Sequence, residues 1–304
     1  MRISTNTMYQ SGINQIGNLQ SEQSKLQQQI ATGKRLASAA DDPVAAAKAL
    51  SVSSAQGINQ KYADSRQTAQ AKLNTIESNL TAVTNLMVST QSSLVGAGNG
   101  TYSDSERAFI ATEIKGALQA MIALSNTKDS NGNYLYSGYK TDTAPFVASA
   151  SAGATYAGDT NQQLIQVDTK RQMAVSVTGA SAFQGGSDVF QTLNNLATLL
   201  DTPITNASER TAFTNGLATG LENMRLSVDN VLNVRASVGN KLTEIDALDA
   251  DGSNRELAYS TALSGLQDLD YATALSDLSK QQTIMEAAQK SFVLVTGLSL
   301  FKYI

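Results

Sequence analysis

Four short clusters in the sequence contain residue types that could do chemistry, and two of them look like parts of a calcium-binding loop. Asp249-Ala250-Asp251-Gly252 places two carboxylates beside a glycine. If Gly252 held the sixth position of such a loop, the first and last ligands would be Ala247 and Ala258, which cannot bind a hard cation. Asp129-Ser130-Asn131-Gly132 fails in the same way, because its last ligand would be Gly138. We interpret both clusters as turns and predict no metal site and no cofactor.

The other two clusters are the carboxylate pair Asp41-Asp42 and the segment Gly96-Ala97-Gly98-Asn99-Gly100. Paired carboxylates can serve acid–base catalysis. Here, however, Asp42 precedes Pro43 in a pattern typical of a helix start, where the carboxylate caps exposed N–H groups. The glycine-rich segment lacks the apolar strand and the lysine of a phosphate-binding loop. We therefore predict a turn between helices there, and no catalytic residues.

The overall composition excludes several classes of function. The sequence contains no His and no Cys, so imidazole-based catalysis, thiol nucleophiles and Cys/His zinc sites are excluded. The net charge is -4 without clusters of Lys and Arg, so we expect no nucleic-acid partner. No run approaches the ~20 apolar residues needed to cross a membrane, and no signal core follows Met1-Arg2-Ile3-Ser4-Thr5. We expect no membrane contact and no cleaved signal peptide, although a signal-independent export route would leave the same sequence.

Each end of the chain carries a narrow apolar stripe at helical spacing. We call these the terminal stripes, and their predicted interface residues are Ile16, Leu19, Leu26, Ile30, Tyr271, Leu278, Met285, Phe292 and Val295. Such stripes could form a stable coiled coil within one chain, or an apolar face that neighbouring subunits cover. Ordering costs about 1–2 kcal/mol per residue, whereas a well-buried Leu or Phe returns about 1.5–3 kcal/mol. With so few apolar residues per heptad, this comparison favours helices that become fully ordered on assembly.

Two longer heptad patterns lie between the terminal stripes, and we call them the rod seams. The first contains Leu73, Ile76, Leu80, Val83 and Met87, and the second contains Leu221, Met224, Val228, Val231, Val238, Leu242 and Ile245. Arg235 interrupts the second seam. Its stem could pack while its head reaches solvent, or it could be a buried charge that specifies register or contacts another subunit. We predict that the second helix breaks at Asp249 to Asn254, where Gly252 lies and no apolar side chain exceeds Ala.

The middle of the chain has a different texture, rich in Gly, Asn, Thr and Tyr. Leu164 to Val167 and Met173 to Val177 are predicted strands, and Ser187-Asp188 then caps a short helix. We predict a mainly α fold with a small β-rich insert, in which N- and C-terminal arms form an elongated antiparallel coiled coil or helical bundle. The insert is expected to contribute no residues to the rod seams. The predicted domains are terminal (1–41 and 255–304), rod (42–130 and 187–254) and β-rich outer (131–186).

Segments near both ends resemble the bacterial flagellin family in the expected order. They are Gln29-Ile30-Ala31-Thr32-Gly33-Lys34-Arg35-Leu36, Asp41-Asp42-Pro43-Val44-Ala45-Ala46, Arg235 with Val238-Gly239-Asn240-Lys241-Leu242, Leu269-Asp270-Tyr271-Ala272-Thr273-Ala274, and Ser299-Leu300-Phe301. Three further segments resemble the members at the hook–filament junction more than the filament flagellins. These are Met1 to Thr5, Asn131 to Phe146 and Ile245 to Asp249. The resemblance covers most of the chain and is weakest from Ala148 to Gly185.

The resemblance implies a structural protein, not an enzyme, that joins the hook to the filament and self-assembles through its terminal helices. Those helices would line the export channel as an inner tube, the rod helices would form the next shell, and the insert would face outward. The protein would reach the extracellular flagellum through type III export, without a cleaved signal peptide. The implied partners are copies of itself in a ring, hook-associated protein 1 below, flagellin above, and a cytosolic export chaperone on the C-terminal helix.

Two other functions remain open at this point. A short flagellin that builds the filament itself would carry the same paired terminal segments. An unrelated coiled-coil scaffold or adhesin would carry the heptads, but it would not carry these segments at both ends.

Overall fold

The computed structural model of the protein describes residues 5–297. The opening Met1-Arg2-Ile3-Ser4 and the closing Ser299-Leu300-Phe301, on which part of the family resemblance rests, lie outside the described residues. The described chain contains seven helices and four short strands. They are α1 (Thr5–Thr32), α2 (Pro43–Ala97), α3 (Asp104–Ser125), β1 (Phe146–Ser149), β2 (Gly153–Tyr156), β3 (Leu164–Asp168), β4 (Arg171–Ala174), α4 (Gly179–Phe183), α5 (Val189–Asp201), α6 (Ala207–Gln267) and α7 (Tyr271–Gly297). The predicted fold class, mainly helical with a small β insert, is confirmed.

The chain divides into two compact units. One comprises the described residues of Met1–Asn59 and Ser253–Ile304, and the other comprises Gln60–Gly252. We call them the terminal unit and the central unit. The finer division into terminal, rod and outer domains stays a prediction.

Three helices of the chain begin at capping residues, and the sequence predicts two of these starts, at Asp42 and Asp188. Asp42 Oδ1 accepts a hydrogen bond from the N–H of Ala45 at 2.9 Å, and α2 begins at Pro43. The side chain of Ser103 and that of Glu106 cap each other's backbone N–H at the start of α3. Asp188 accepts from the N–H groups of Phe190 and Gln191 at the start of α5. Each cap satisfies donors that have no partner inside the helix.

The predicted break at Asp249 to Asn254 is wrong, because α6 continues through it to Gln267. Gly252 is a packing residue and not a turn residue. A Cβ atom at this position would lie 2.5 Å from Nη2 of Arg66. The helix therefore uses the absence of a side chain to admit a guanidinium group, and accepts the modest helix-propensity cost of glycine.

The insert contains two antiparallel hairpins, of which the sequence predicted only the second. In that hairpin β3 pairs with β4, with a register irregularity between Gln166 and Asp168. The first hairpin pairs Phe146 with Tyr156 and Ser149 with Gly153. Its strands have only four residues each, so neither shows the alternation on which a sequence-based prediction depends.

The hydrophobic core of the central unit includes side chains from the insert, contrary to our expectation. Tyr136, Phe146 and Phe183 are buried in the same cluster as the first rod seam. The hydroxyl of Tyr136 donates a hydrogen bond to Oδ1 of Asn79 on α2 at 2.7 Å. The Phe146 ring lies 4.5 Å, centroid to centroid, from that of Phe190. The insert therefore adds aromatic side chains to the core that the long helices share.

One described helix, α3, is long and apolar enough to cross a membrane by length and composition. Ala111, Ile114 and Met121 of this helix are buried within the central unit. By length and composition, α3 departs from the expectation that no run of the chain approaches a membrane-spanning length. The guanidinium of Arg107 on this helix stacks over the Phe213 ring at 5.3 Å.

Candidate assembly surfaces

In the terminal unit, α1 and α7 pack against each other. The ring of Phe292 on α7 covers Gly12 on α1 so closely that a Cβ atom there would lie 2.5 Å from Cδ2 of the ring. The Phe292 ring also lies 5.2 Å from the Tyr9 ring, centroid to centroid. Beside this contact runs an open groove of about 490 Å³, bordered by Met8 and Ile16 among others. The pair is therefore in contact but incompletely packed.

The structure brings the terminal stripes of the two helices toward each other. Met285 is buried and Ala274 is buried beside the same stripe. The remaining predicted interface residues are half-buried or exposed: Ile16, Leu19, Leu26, Ile30, Leu278 and Phe292 are half-buried, and Tyr271 and Val295 are each 49% exposed. One partner helix thus covers these stripes only partly.

A second set of apolar side chains on α1 and α7 is largely exposed and was not singled out by the sequence. We call it the outer apolar set: Met8, Ile13, Leu275, Ile284, Val293 and Leu294. Val293 is 66% exposed and Leu294 is 69% exposed. Isolated exposed apolar residues are ordinary, but several on one helix pair make it a candidate interaction surface. A heptad count selects one stripe per helix and overlooks apolar residues outside that stripe.

The connectors at the ends of α1 and α6 are joined to each other. Gly33 ends α1 with a φ of 69°, and its carbonyl accepts from the N–H of Leu269 at 3.0 Å. The ammonium of Lys34 pairs with Asp268 at 2.6 Å. The N–H of Arg35 donates to the carbonyl of Gln267 at 2.7 Å. Two of the segments that resemble the flagellin family, Gln29–Leu36 and Leu269–Ala274, thus meet in one hydrogen-bonded junction inside the terminal unit.

Two carboxylates of these connectors have strongly stabilised charged forms. A hydrogen bond from Lys25, at 2.7 Å, and a backbone hydrogen bond from Ser38 lower the pKa of Asp41 to about 2. The side chain of Lys34, followed by that of Ser264, lowers the pKa of Asp268. Hydrogen bonds to the ionised carboxylate cause both shifts. Asp41 therefore organises a turn and does not act as an acid or base near neutral pH.

In the central unit, α2 and α6 run antiparallel along the rod seams. Arg66 of α2 pairs with Asp249, and Glu77, further along α2, pairs with Arg235, which comes earlier in α6. The structure buries Leu73, Ile76, Leu80, Val83 and Met87 completely or almost so. On α6, Met224, Val231, Val238 and Ile245 are buried, while Leu221, Val228 and Leu242 are half-buried. Along the second rod seam, one row of side chains is therefore fully buried, while the adjacent row is only partly covered.

Arg235 is half-buried and pairs within its own chain. Its Nη2 and Nε atoms donate to Oε1 of Glu77 at 2.6 and 2.9 Å, and its Nη1 donates to Thr84 at 3.4 Å. Glu77 and Thr84 are one heptad apart on α2. The guanidinium thus spans about two turns of α2, which supports the interpretation that it specifies register.

Arg66 is a buried, paired charge that the sequence analysis missed. Its side chain is 1% exposed, pairs with Asp249, and donates from Nη1 to the carbonyl of Val167 at 3.1 Å. It therefore links α2, α6 and strand β3. The only sequence signal was a charged residue one heptad before Leu73, in line with the first rod seam.

The described residues contain no group of three or more acidic side chains placed to hold a metal ion. The Asp129 turn instead binds its own backbone: Oδ1 of Asp129 accepts from the N–H groups of Asn131 and Asn133, both at 2.9 Å. Gly132 in this turn has a φ of 83°. The apolar surfaces, rather than a catalytic or metal centre, are therefore the candidate functional sites.

Comparison with known proteins gives concordant results. The family model for the bacterial flagellin N-terminal helical region matches residues 3–141. The chain is 37% identical over 317 residues to flagellar hook-associated protein 3 of Salmonella typhimurium and 38% identical over 318 residues to that of Escherichia coli, in each case covering 99% of both chains. A solved structure of the flagellar junction protein FlgL from Legionella pneumophila has a TM-score of 0.64 at 16% identity, covering 73% of this chain and 100% of that one. At that identity, the structural likeness bears on the fold alone.

Proposed function

Because this chain belongs to the family of flagellar hook-associated protein 3, which are structural proteins of the bacterial flagellum, we propose that it is the subunit that joins the hook to the filament. The observation that carries this proposal is the identity of 37–38% along 99% of both chains. A match of that extent includes the terminal helices, the rod and the insert together. The role is structural rather than catalytic.

The terminal helices are the proposed assembly interface. The terminal stripes leave most of their residues half-buried, and the outer apolar set leaves Val293 and Leu294 mostly exposed. Removing such side chains from water returns about 25 cal/mol per Å² of apolar surface. Neighbouring copies in a ring would cover both the outer apolar set and the groove beside Phe292. Hook-associated protein 1 below and flagellin above would continue the same packing.

The proposed route to this position is type III export into the extracellular flagellum, without a cleaved signal peptide. Before export, the exposed apolar side of α7 would need protection from aggregation. A cytosolic chaperone that binds this helix would provide that protection. Leu275 and Ile284 are the side chains that we expect it to cover, since both are exposed in the isolated chain.

Deletion of the gene tests the junction role. The expected phenotype is hooks without filaments and flagellin shed into the medium, and expression of the intact chain should restore filaments. Filaments that persist in the deletion strain would contradict the proposal. If the purified chain instead forms long polymers by itself, the protein is a short filament flagellin.

A pair of matched variants tests the interface. Leu294→Asp places a charge in the outer apolar set, and Leu164→Asp places the same charge on β3, where Leu164 is 56% exposed. We expect Leu294→Asp to fail to restore filaments and Leu164→Asp to restore them, with both proteins folded and secreted. Equal complementation by the two variants would contradict the assignment of the interface to the terminal helices.

A further inference from the structure

The sequence contains three Asn-Gly pairs, and they occupy different structural environments. Asn99-Gly100 lies in the turn between α2 and α3, Asn131-Gly132 lies in the Asp129 turn, and Asn215-Gly216 lies inside α6. An asparagine before glycine is open to attack by the glycine nitrogen on its side-chain amide, because glycine has no Cβ to hinder the approach. Which of the three reacts depends on whether that nitrogen is free and how the amide is held.

The turn at Asn99 positions the side-chain amide for this reaction. Oδ1 of Asn99 accepts hydrogen bonds from Oγ1 of Thr101 at 2.9 Å and from the N–H of Thr101 at 3.2 Å. These bonds fold the amide back over the Gly100 peptide, as in an Asx turn. The N–H of Tyr102 donates to the carbonyl of Asn99 at 3.1 Å and closes the turn around Gly100. Asn99 and Gly100 are both exposed, so water has access.

The same contacts favour the chemistry electronically. Two donors on Oδ1 draw electron density from the amide carbon and would stabilise the negative charge that forms on this oxygen during attack. Among the residues that the structure describes, no acceptor takes a hydrogen bond from the N–H of Gly100. The nitrogen is therefore free to lose its proton to solvent and act as the nucleophile.

We propose that Asn99 is a site of spontaneous deamidation in this protein. The nitrogen of Gly100 forms a bond to Cγ of Asn99, its proton passes to solvent, and the bond from Cγ to Nδ2 breaks with release of ammonia. Water then opens the resulting succinimide. Attack at Cγ gives Asp, and attack at the main-chain carbonyl carbon gives isoaspartate. Either product places one new negative charge in the turn between α2 and α3.

The other two pairs lack this combination. The N–H of Gly132 donates to the carbonyl of Asp129 at 3.0 Å. The nitrogen that would attack in the second pair is therefore already engaged in a hydrogen bond. Gly216 lies within α6, where its N–H belongs to the helical hydrogen-bond ladder. Leu199 also packs against it, with Cδ2 2.9 Å from the position of a Cβ atom. Both pairs serve as internal references in the same protein.

The experiment is an incubation of the purified full-length chain at mildly alkaline pH, followed by peptide mass mapping. The measured quantities are the mass increase from NH₂ to OH and the isoaspartate content at each of the three asparagines. We expect modification at Asn99 to proceed severalfold faster than at Asn131 or Asn215. Equal rates at the three sites, or a faster rate at Asn131, would overturn the proposal.

Two variants test the mechanism without disturbing the fold. Gly100→Ala hinders the nucleophile, and a Cβ atom at Gly100 would meet nothing within 4 Å, so the turn should be retained. Thr101→Val removes the hydroxyl donor and leaves the N–H donor in place. We expect deamidation at Asn99 to slow severalfold in each variant, with unchanged circular dichroism. A rate in Thr101→Val equal to that of the unmodified sequence would contradict the role assigned to the hydroxyl, and an unchanged rate in Gly100→Ala would contradict the site itself.

Discussion

Phe292 lies against Gly12 with no space for even a methyl group between them. A Cβ atom on Gly12 would be 2.5 Å from Cδ2 and 2.7 Å from Cε2 of the ring. Glycine inside a helix weakens the helix by roughly 1 kcal/mol relative to alanine. Its presence at this position indicates that close contact between α1 and α7 matters more than the stability of α1 alone.

Gly12→Ala should therefore loosen the pairing of α1 with α7. The ring of Phe292 must move, and the half-buried stripe around it loses contact. We expect faster hydrogen exchange in both helices of the isolated chain. Gly17→Ala is the matched control, because a Cβ atom at Gly17 meets nothing within 4 Å. That variant should exchange as slowly as the original or more slowly, and identical behaviour of the two variants would contradict the packing described.

Phe292→Asp should separate folding from assembly. Phe292 belongs to the terminal unit, so the melting transition of the central unit should not change. On assembly, each copy would lose about 2–3 kcal/mol of apolar burial, and the carboxylate would add a desolvation cost. We expect normal hooks and secreted, unpolymerised flagellin, measured by complementation of the deletion strain.

The comparison variant for this experiment is Leu80→Asp. Leu80 is 0% exposed on the first rod seam, so the same charge there should unfold the central unit in a thermal melt followed by circular dichroism. If Phe292→Asp also abolished that transition, or restored normal motility, the division between a folding seam and an assembly stripe would be wrong.

Gly252→Ala should destabilise the central unit. The added methyl would lie 2.5 Å from Nη2 of Arg66, which is itself held by Asp249 and Val167. Displacing a buried guanidinium that has defined partners costs on the order of 1–3 kcal/mol. Gly239→Ala in the same helix meets no atom within 4 Å and should stabilise by up to about 1 kcal/mol. Urea unfolding of the two variants measures this, and a shift of the same sign in both would show that Arg66 tolerates the methyl.

Asp41 should titrate at unusually low pH in the folded chain. Its pKa is lowered from 3.8 to about 2, first by Lys25 and then by the backbone at Ser38. Since the folded-state value is depressed, the stabilisation is fully present above about pH 4 and is lost as the pH falls toward 2. Lys25→Gln should raise the pKa of Asp41, as measured by NMR titration of the carboxyl carbon. The same titration midpoint with and without Lys25 would exclude the ion pair as the cause.

The long helices could be predicted because their apolar period repeats many times. The apolar residues from Leu73 to Met87 all indicate the same buried face of one helix, so a single polar residue on that face would not change the prediction. The helix start at Pro43 was also predictable, since a cap depends on residues next to each other in sequence. Local chemistry of this kind is visible in the sequence.

Long-range packing was not visible. Gly252 looked like a helix break because its partner, Arg66, lies far away in sequence. Tyr136 gave no sign that it would reach Asn79 and complete the core of the rod. For the terminal helices, the period located Phe292 and Met285 but gave no information about Val293 and Leu294, because an apolar residue outside the stripe has no periodic neighbours to support it.

The contact between Lys34 and Asp268 joins residues 234 positions apart. Closing so long a loop costs conformational entropy, but this cost rises only with the logarithm of loop length. The entropy is lost when the two connectors come together. From then on, the end of α1 and the start of α7 lie at adjacent anchor points, and each helix is present to the other at a high effective concentration. Two helices held together at one end can separate and pair again without diffusing apart. The open groove beside Phe292 would therefore let a neighbouring copy, in the assembly proposed above, compete with the partner helix of the same chain.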